Sequence, residues 1–248
     1  MPLDSLSGKS ALVTGGARRI GRSIALALAQ AGADVAITYR NSKQEAAETA
    51  SAIVAMGRRA CALECDVRSE SAVRLAVSSA VAALGRLDIL VNNAAVFETA
   101  PLESLTPDQW DAMFATNTRG PFLAAREALP HLRAAEGRIV NIGSLGGEHA
   151  WAGHAHYSSA KAALHMLTRT MAKAFAPVIS VNCVAPGWIE LDDRTEDEAA
   201  NAARYAARTP MGRNGTADDV AQAVLFFATG PRFITGQILT VDGGLGLS

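Results

Sequence analysis

The sequence of 248 residues contains no uninterrupted apolar run of the roughly 18 residues that a membrane-spanning helix needs. Residues Met1 to Leu6 lack the basic-then-apolar order of a secretory signal. The expected location is the cytoplasm. Cysteine is scarce. Cys61, Cys65 and Cys183 are odd in number, which argues against a disulfide framework. Neither sign of charge is in excess, the formal net charge being −1. No field draws the chain to nucleic acid or to an anionic membrane, and neither is expected as a partner. No zinc-ligand spacing is present. His154 and His156 would need further ligands, and they read more simply as residues near a helix start, so no metal is expected. Internal repeats, low-complexity tracts and interdomain linkers are all missing. Aromatic residues make up only 5% of the chain.

What the chain has is apolar and Ala-rich sequence, 49% hydrophobic, in a length sufficient for one large core. Ser10–Thr14 is a short apolar run that stops at Gly15-Gly16, as a buried strand entering a turn does. The spacing of Ile20, Ile24 and Leu28 predicts a helix to about Gln30, stopped by Gly32. Asp34–Arg40 is again strand-like, which makes a βαβ unit with parallel strands. The alternation continues with a helix over Ser42–Met56, a strand over Arg59–Cys65 and a helix over Glu70–Leu84. The fourth strand is Leu87–Val91. A long helix is expected from Pro107 to about Arg133, with Pro121 and Pro130 as kinks or breaks. Strands follow over Arg138–Ile142, Val178–Val184 and Gln237–Val241. Thr216 is the expected cap of a helix reaching Phe227. The stretch from Trp188 to Gly215 is polar and charged, room for one or two short helices, and is the expected substrate lid. The pattern predicts an α/β fold: one domain over residues 1–248, a doubly wound parallel sheet of about seven strands with helices on both faces.

In such sheets ligands bind beyond the carboxyl ends of the strands. The informative clusters fall there: Thr14-Gly15-Gly16, Tyr39-Arg40, Asp66-Val67, Asn92-Asn93-Ala94, Gly143-Ser144 and Pro186-Gly187. The turn from Thr14 to Gly21 should aim a helix N-terminus at a phosphate, its glycines letting the backbone come close. At the end of strand two, an acid would bind the ribose hydroxyls of NAD. This chain has Tyr39, Arg40, Asn41 and Ser42 instead. Arg40 suits the 2′-phosphate of NADP, with Arg18 or Arg19 assisting; a plain strand-end cation is the alternative reading. Tyr157 and Lys161 are four apart on a predicted helix and so share a face. An ammonium beside the phenol would lower its pKa from about 10 and make it a usable proton donor. By itself the pair is also what a solvated tyrosine with a nearby lysine looks like.

In combination and order, Thr14-Gly15 with Gly21, Asp66-Val67, Asn92-Asn93-Ala94-Ala95, Asn117, Ser144, Tyr157-x-x-x-Lys161, Pro186-Gly187 and Val241-Asp242-Gly243-Gly244 resemble the short-chain dehydrogenase/reductases of compact type. The resemblance covers essentially the whole chain. It implies a Rossmann-type fold, NADP(H) as cofactor and a homotetramer. It implies that Tyr157 protonates the carbonyl oxygen, that Lys161 lowers its pKa and binds the nicotinamide ribose, and that Ser144 donates to the same substrate oxygen. Asn117 would hold a water in a proton relay through Lys161. Asp66 and Val67 would contact the adenine, Asn93, Ala94 and Ala95 would line the cofactor, and Val184, Pro186, Gly187 and Ile189 would sit by the nicotinamide. With Gly15, Arg18, Arg19, Ile20 and Gly21 at the phosphates, these are the candidate cofactor-binding residues.

One departure stands out. The family's usual glycine at position 19 is Arg19 here. That arginine is similar to one in the pteridine reductases, as are Phe97, placed to stack on a flat ring, and Asp192-Asp193. Ser144 is instead the ordinary ketoreductase residue, and Val35–Ser42 resembles 3-oxoacyl-carrier-protein reductases. The reading is therefore an NADPH-dependent oxidoreductase acting on a small-molecule carbonyl, a 3-oxoacyl thioester or another ketone or aldehyde. Pterin reduction is the alternative, and a non-catalytic nucleotide-binding protein a remote one. Phe97 and Trp188 join Ser144 as candidate substrate contacts, and Trp151 and His154 should help shape the pocket.

Overall fold

The computed structural model describes residues 5–191 and 196–247, without the side chains of 196–200. Strands β1 (Ser10–Val13), β2 (Asp34–Tyr39), β3 (Ala60–Glu64), β4 (Ile89–Asn92), β5 (Arg138–Ile142), β6 (Ser180–Pro186) and β7 (Ile238–Val241) form one sheet in the order β3-β2-β1-β4-β5-β6-β7. Every strand pair is parallel. The chain winds outward from β1 to β3, then crosses back to lay β4 beside β1. That reversal opens a crevice at the carboxyl ends of β1 and β4.

Strand residues alternate between two apolar layers, because successive side chains leave a sheet on opposite faces. Ala11, Val13, Ile89, Val91, Val140 and Ile142 face one layer, where Ile24 and Leu28 of α1 (Arg19–Gln30) meet Val220 and Val224 of α8 (Ala217–Thr229). Ile53 of α2 (Lys43–Ala55) packs in the same layer. Leu12, Leu90 and Ile139 face the other, against Val77 of α3 (Glu70–Leu84), Leu123 of α5 (Gly120–Ala135) and Met171 of α6 (Ala155–Phe175). Thr216 caps α8 in a reciprocal capping box with Asp219. Among the described residues, no helix is long and apolar enough to cross a membrane.

One expectation needs correction. The helix from Pro107 is not broken at its prolines. Helix α4 (Pro107–Phe114) passes through a π-helical turn, Ala115–Arg119, into α5. Pro121 sits in the first turn of α5 and Pro130 within it, and neither ends it. The irregularity is the i→i+5 turn, which carries Asn117. The stretch from Trp188 to Gly215 contains a single described helix, α7 (Glu196–Arg208). Its two ends are stapled: Glu190 N–H donates to the Gly215 carbonyl (2.8 Å) and Gly215 N–H to that of Trp188 (3.0 Å).

Candidate active site

The loops leaving β1 and β4 lock together at the crevice. Thr14 Oγ1 accepts the N–H groups of Asn93 (3.0 Å) and Ala94 (3.1 Å). The Asn93 amide donates back to the carbonyls of Thr14 (3.0 Å) and Gly15 (2.9 Å). The Gly15 N–H donates to Thr38 Oγ1 at 3.1 Å. Gly15 has φ +64°, and a Cβ there would lie 2.9 Å from Ala94 Cα. A Cβ on Gly21 would strike the Gly15 carbonyl oxygen. Backbone therefore fills this turn, and α1 begins behind it with no side-chain cap. Uncapped first-turn N–H groups at a helix start are an anion site. Arg19 holds the left-handed conformation (φ +52°) that normally favours glycine.

Beyond β2, Tyr39, Arg40, Asn41 and Ser42 line the same crevice, and Ser42 starts α2 without a side-chain cap. Asp66 faces them, but its carboxylate is committed to Arg68: Arg68 Nη2 donates at 2.6 Å and Nε at 2.9 Å. That hydrogen bonding holds the Asp66 carboxyl below the usual range. The uncapped helix start, the glycine cradle and the cations Arg18, Arg19 and Arg40 fit a phosphorylated dinucleotide. No carboxylate stands at the end of β2 to repel a 2′-phosphate.

At the other end of the crevice, helix α6 is hooked onto β5 by polar side chains one turn apart. Asn141 Nδ2 donates to Thr168 Oγ1 (2.9 Å), the Ser144 N–H reaches His165 Nε2 (3.5 Å), and Lys161 Nζ donates to the Ile142 carbonyl (2.8 Å). Asn92 extends the chain of bonds to β4, donating to Asn141 Oδ1 at 2.8 Å. Tyr157 stands one turn before Lys161. The Ser144 hydroxyl accepts from the Gly146 N–H (3.1 Å), and Ser144 and Tyr157 line the same cleft.

The electrostatics overturn one expectation. Burial pushes the Tyr157 phenol above its ordinary value, with only the Ser144 hydrogen bond opposing it. Lys161 does not lower it, because its ammonium points to the Ile142 carbonyl and lies 5.8 Å from the Tyr157 ring centroid. Burial also lowers Lys161 itself, to about 8.

The described candidate residues other than Asn117, Val184 and His154 line one cleft of about 680 Å³. Asn117 is buried, and its amide clamps the next loop instead. Its Oδ1 accepts the Val96 N–H and its Nδ2 donates to the Val96 carbonyl, both at 2.9 Å. Val184 is wholly buried in the core and is likewise not at the cleft. The mouth is aromatic. Phe97 stacks on His154 (4.7 Å) and meets Tyr157 edge-on (4.8 Å), and Trp188 stacks on Tyr205 of α7 (4.1 Å). Asp192 and Asp193 lie outside the described residues. Among those described, no three His, Cys, Asp or Glu side chains converge as a metal site.

Sequence reasoning missed His165. The ring is buried, and its space is made by two glycines: a Cβ on Gly143 would strike Nε2, and one on Gly147 would lie 2.7 Å from Cε1. The loop carrying Ser144 is thus moulded on this imidazole. The paired glycines on either side of Ser144 were the available signal.

Residues 15–246 match a family profile described as enoyl-(acyl carrier protein) reductase. The chain is 37% identical to the 3-oxoacyl-[acyl-carrier-protein] reductase FabG of Staphylococcus aureus, over 96% of this chain and 98% of the other. It is 44% identical to a short-chain dehydrogenase from Burkholderia cenocepacia J2315 solved in complex with NADP, with a TM-score of 0.90 over 97% and 99% of the two chains. A putative short-chain alcohol dehydrogenase from Sinorhizobium meliloti 1021 superposes over the full length of both, with a TM-score of 0.93 at 36% identity.

Proposed function

The chain belongs to the short-chain dehydrogenase/reductase family, and from that premise we propose that it is an NADP(H)-dependent reductase of a small-molecule carbonyl. One observation carries the reading: Ser144, Tyr157 and Lys161 stand together at the wall of one cleft whose far end holds the uncapped start of α1 and the cations Arg18, Arg19 and Arg40. When bound, the reduced cofactor supplies the hydride. Charge then develops on the substrate oxygen, which needs donors and a proton about 3 Å away. Ser144 donates a hydrogen bond to that oxygen, and Tyr157 gives it the phenolic proton. A phenol kept protonated by burial is in the right state to act as the acid. Lys161 stands behind Tyr157 and reaches the ribose. Arg18, Arg19 and the α1 start hold the pyrophosphate, Arg40 and Ser42 hold the 2′-phosphate, and Asp66 and Val67 border the adenine. Pro186, Gly187 and Ile189 support the nicotinamide face, and residues 188–215 act as the lid.

A second reading, reduction of a pterin ring, draws on Arg19 beside the cleft and on the open ring of Phe97. Ser144 favours the carbonyl.

The test is a panel of ketones, a 3-oxoacyl thioester and dihydrobiopterin, each with NADPH and NADH. Carbonyl consumption with NADPH preferred about tenfold or more supports the proposal. Turnover of the dihydropterin alone, or NADH preference, contradicts it.

A further inference from the structure

The mouth of the cleft narrows the substrate class. Aromatic residues are few, yet two of the three tryptophans, Trp151 and Trp188, line this one cleft with Tyr157 and Phe97. Phe97 is 58% exposed although it lies inside a cleft. One of its faces is covered by His154, at 4.7 Å and 21°, and Tyr157 meets it at 89°. The exposure therefore belongs to its other face. Trp151 runs nearly parallel to Tyr157, at 6.3 Å and 12°. The four rings make a corner of two walls at a near right angle, Phe97 with His154 and Tyr157 with Trp151.

The corner is fixed rather than adaptable. Asn117 clamps both polar groups of Val96, next to Phe97. His154 Nε2 hydrogen-bonds Thr99 Oγ1 at 3.0 Å, and the Ala100 N–H donates to the Gly153 carbonyl at 2.8 Å. A rigid, open aromatic face is a preorganised stacking platform. Among the described residues of the cleft, charge is set back from the Phe97 face: the Lys161 ammonium is held by the Ile142 carbonyl at 2.8 Å. The arginines of the cleft sit at the α1 and β2 ends, and the Glu190 carboxylate accepts the Asn214 amide at 3.0 Å.

We propose that the substrate is a flat, uncharged ring ketone fused to an aromatic ring, stacked on the open face of Phe97 with its carbonyl edge at Tyr157, and that Phe97 and Trp151 set this preference. The proposal rests on the carbonyl-reductase reading above. An acyclic 3-oxoacyl chain would leave the Phe97 face in water.

The test uses the full chain with NADPH and two substrates, the fused bicyclic ketone 2-tetralone and the acetoacetyl thioester of N-acetylcysteamine. We expect kcat/KM for tetralone to be higher by about tenfold or more, the scale of one good aromatic contact. Phe97→Leu keeps an apolar side chain but removes the ring, and should lower the tetralone-to-thioester ratio about tenfold through the tetralone KM. Phe97→Tyr should keep the ratio. Equal or better use of the thioester, or a ratio unchanged in Phe97→Leu, overturns the proposal and leaves the carbonyl reading standing. No turnover of 2-tetralone overturns the ring-ketone proposal, while the carbonyl reading falls only if no ketone of the wider panel is reduced.

Discussion

Arg19 shows how one residue trades backbone comfort for chemistry. Its φ of +52° is the conformation that a glycine adopts without penalty and a side chain adopts at about 1 kcal/mol. In exchange the first turn of α1 gains a cation beside Gly15 and Gly21. Arg19→Gly should therefore raise stability by about 1 kcal/mol in thermal unfolding and raise the KM for NADPH severalfold. A variant with unchanged KM would remove Arg19 from the phosphate site. Residue identity told which chemistry was present but not its state. The helical spacing of Tyr157 and Lys161 was legible, whereas the direction of the phenol's pKa depended on how deeply α6 packs. The Ile142 carbonyl that takes the Lys161 ammonium lies on another element, and no local pattern announces it.

Elements were legible wherever periodicity ran clean. The strand ends carrying Gly15, Arg40, Asp66, Asn93, Ser144 and Gly187 stand where the alternation of strands and helices put them. The π turn over Ala115–Arg119 was not legible, because one extra residue in a helix leaves the apolar pattern nearly intact. The inner face of α6 was also misleading. Lys161, His165 and Thr168 interrupt its apolar stripe, and each finds a partner on β5 or the Ser144 loop. His165 gives this element a pH dependence. Burial, with the charges of Lys161 and Arg169, lowers its pKa from 6.5 to about 4. Above pH 6.5 both folded and unfolded chains carry it neutral, so it contributes no slope. Between 6.5 and 4 the unfolded chain takes up the proton and the folded chain does not, so stability falls as pH falls, by up to about 3 kcal/mol. His165→Gln should flatten that part of the stability curve measured by urea unfolding. An identical acid slope in the variant would show that His165 is not its source.

At the scale of the whole molecule, the sheet presents one reactive edge and leaves two outer faces apolar. Phe122 and Met166 are exposed along an open groove of about 1130 Å³ across α4, α5 and α6. Phe226, Phe233 and Leu239 are exposed on and beside α8 and β7, at the sheet's edge. Two such faces fit the homotetramer that we propose, since exposed apolar area of this kind marks association. Sedimentation equilibrium should give four times the 25.8 kDa chain mass, and a monomer would refute it. Tyr157→Phe tests the central claim most directly. It removes the phenolic proton while leaving the ring against Phe97 and Trp151. Single-turnover reduction of whichever ketone proves active should slow by at least about a hundredfold. NADPH affinity, read by fluorescence titration, should stay within about twofold. A variant that binds NADPH and still reduces the carbonyl at the parent rate would contradict the assignment of Tyr157 as the acid.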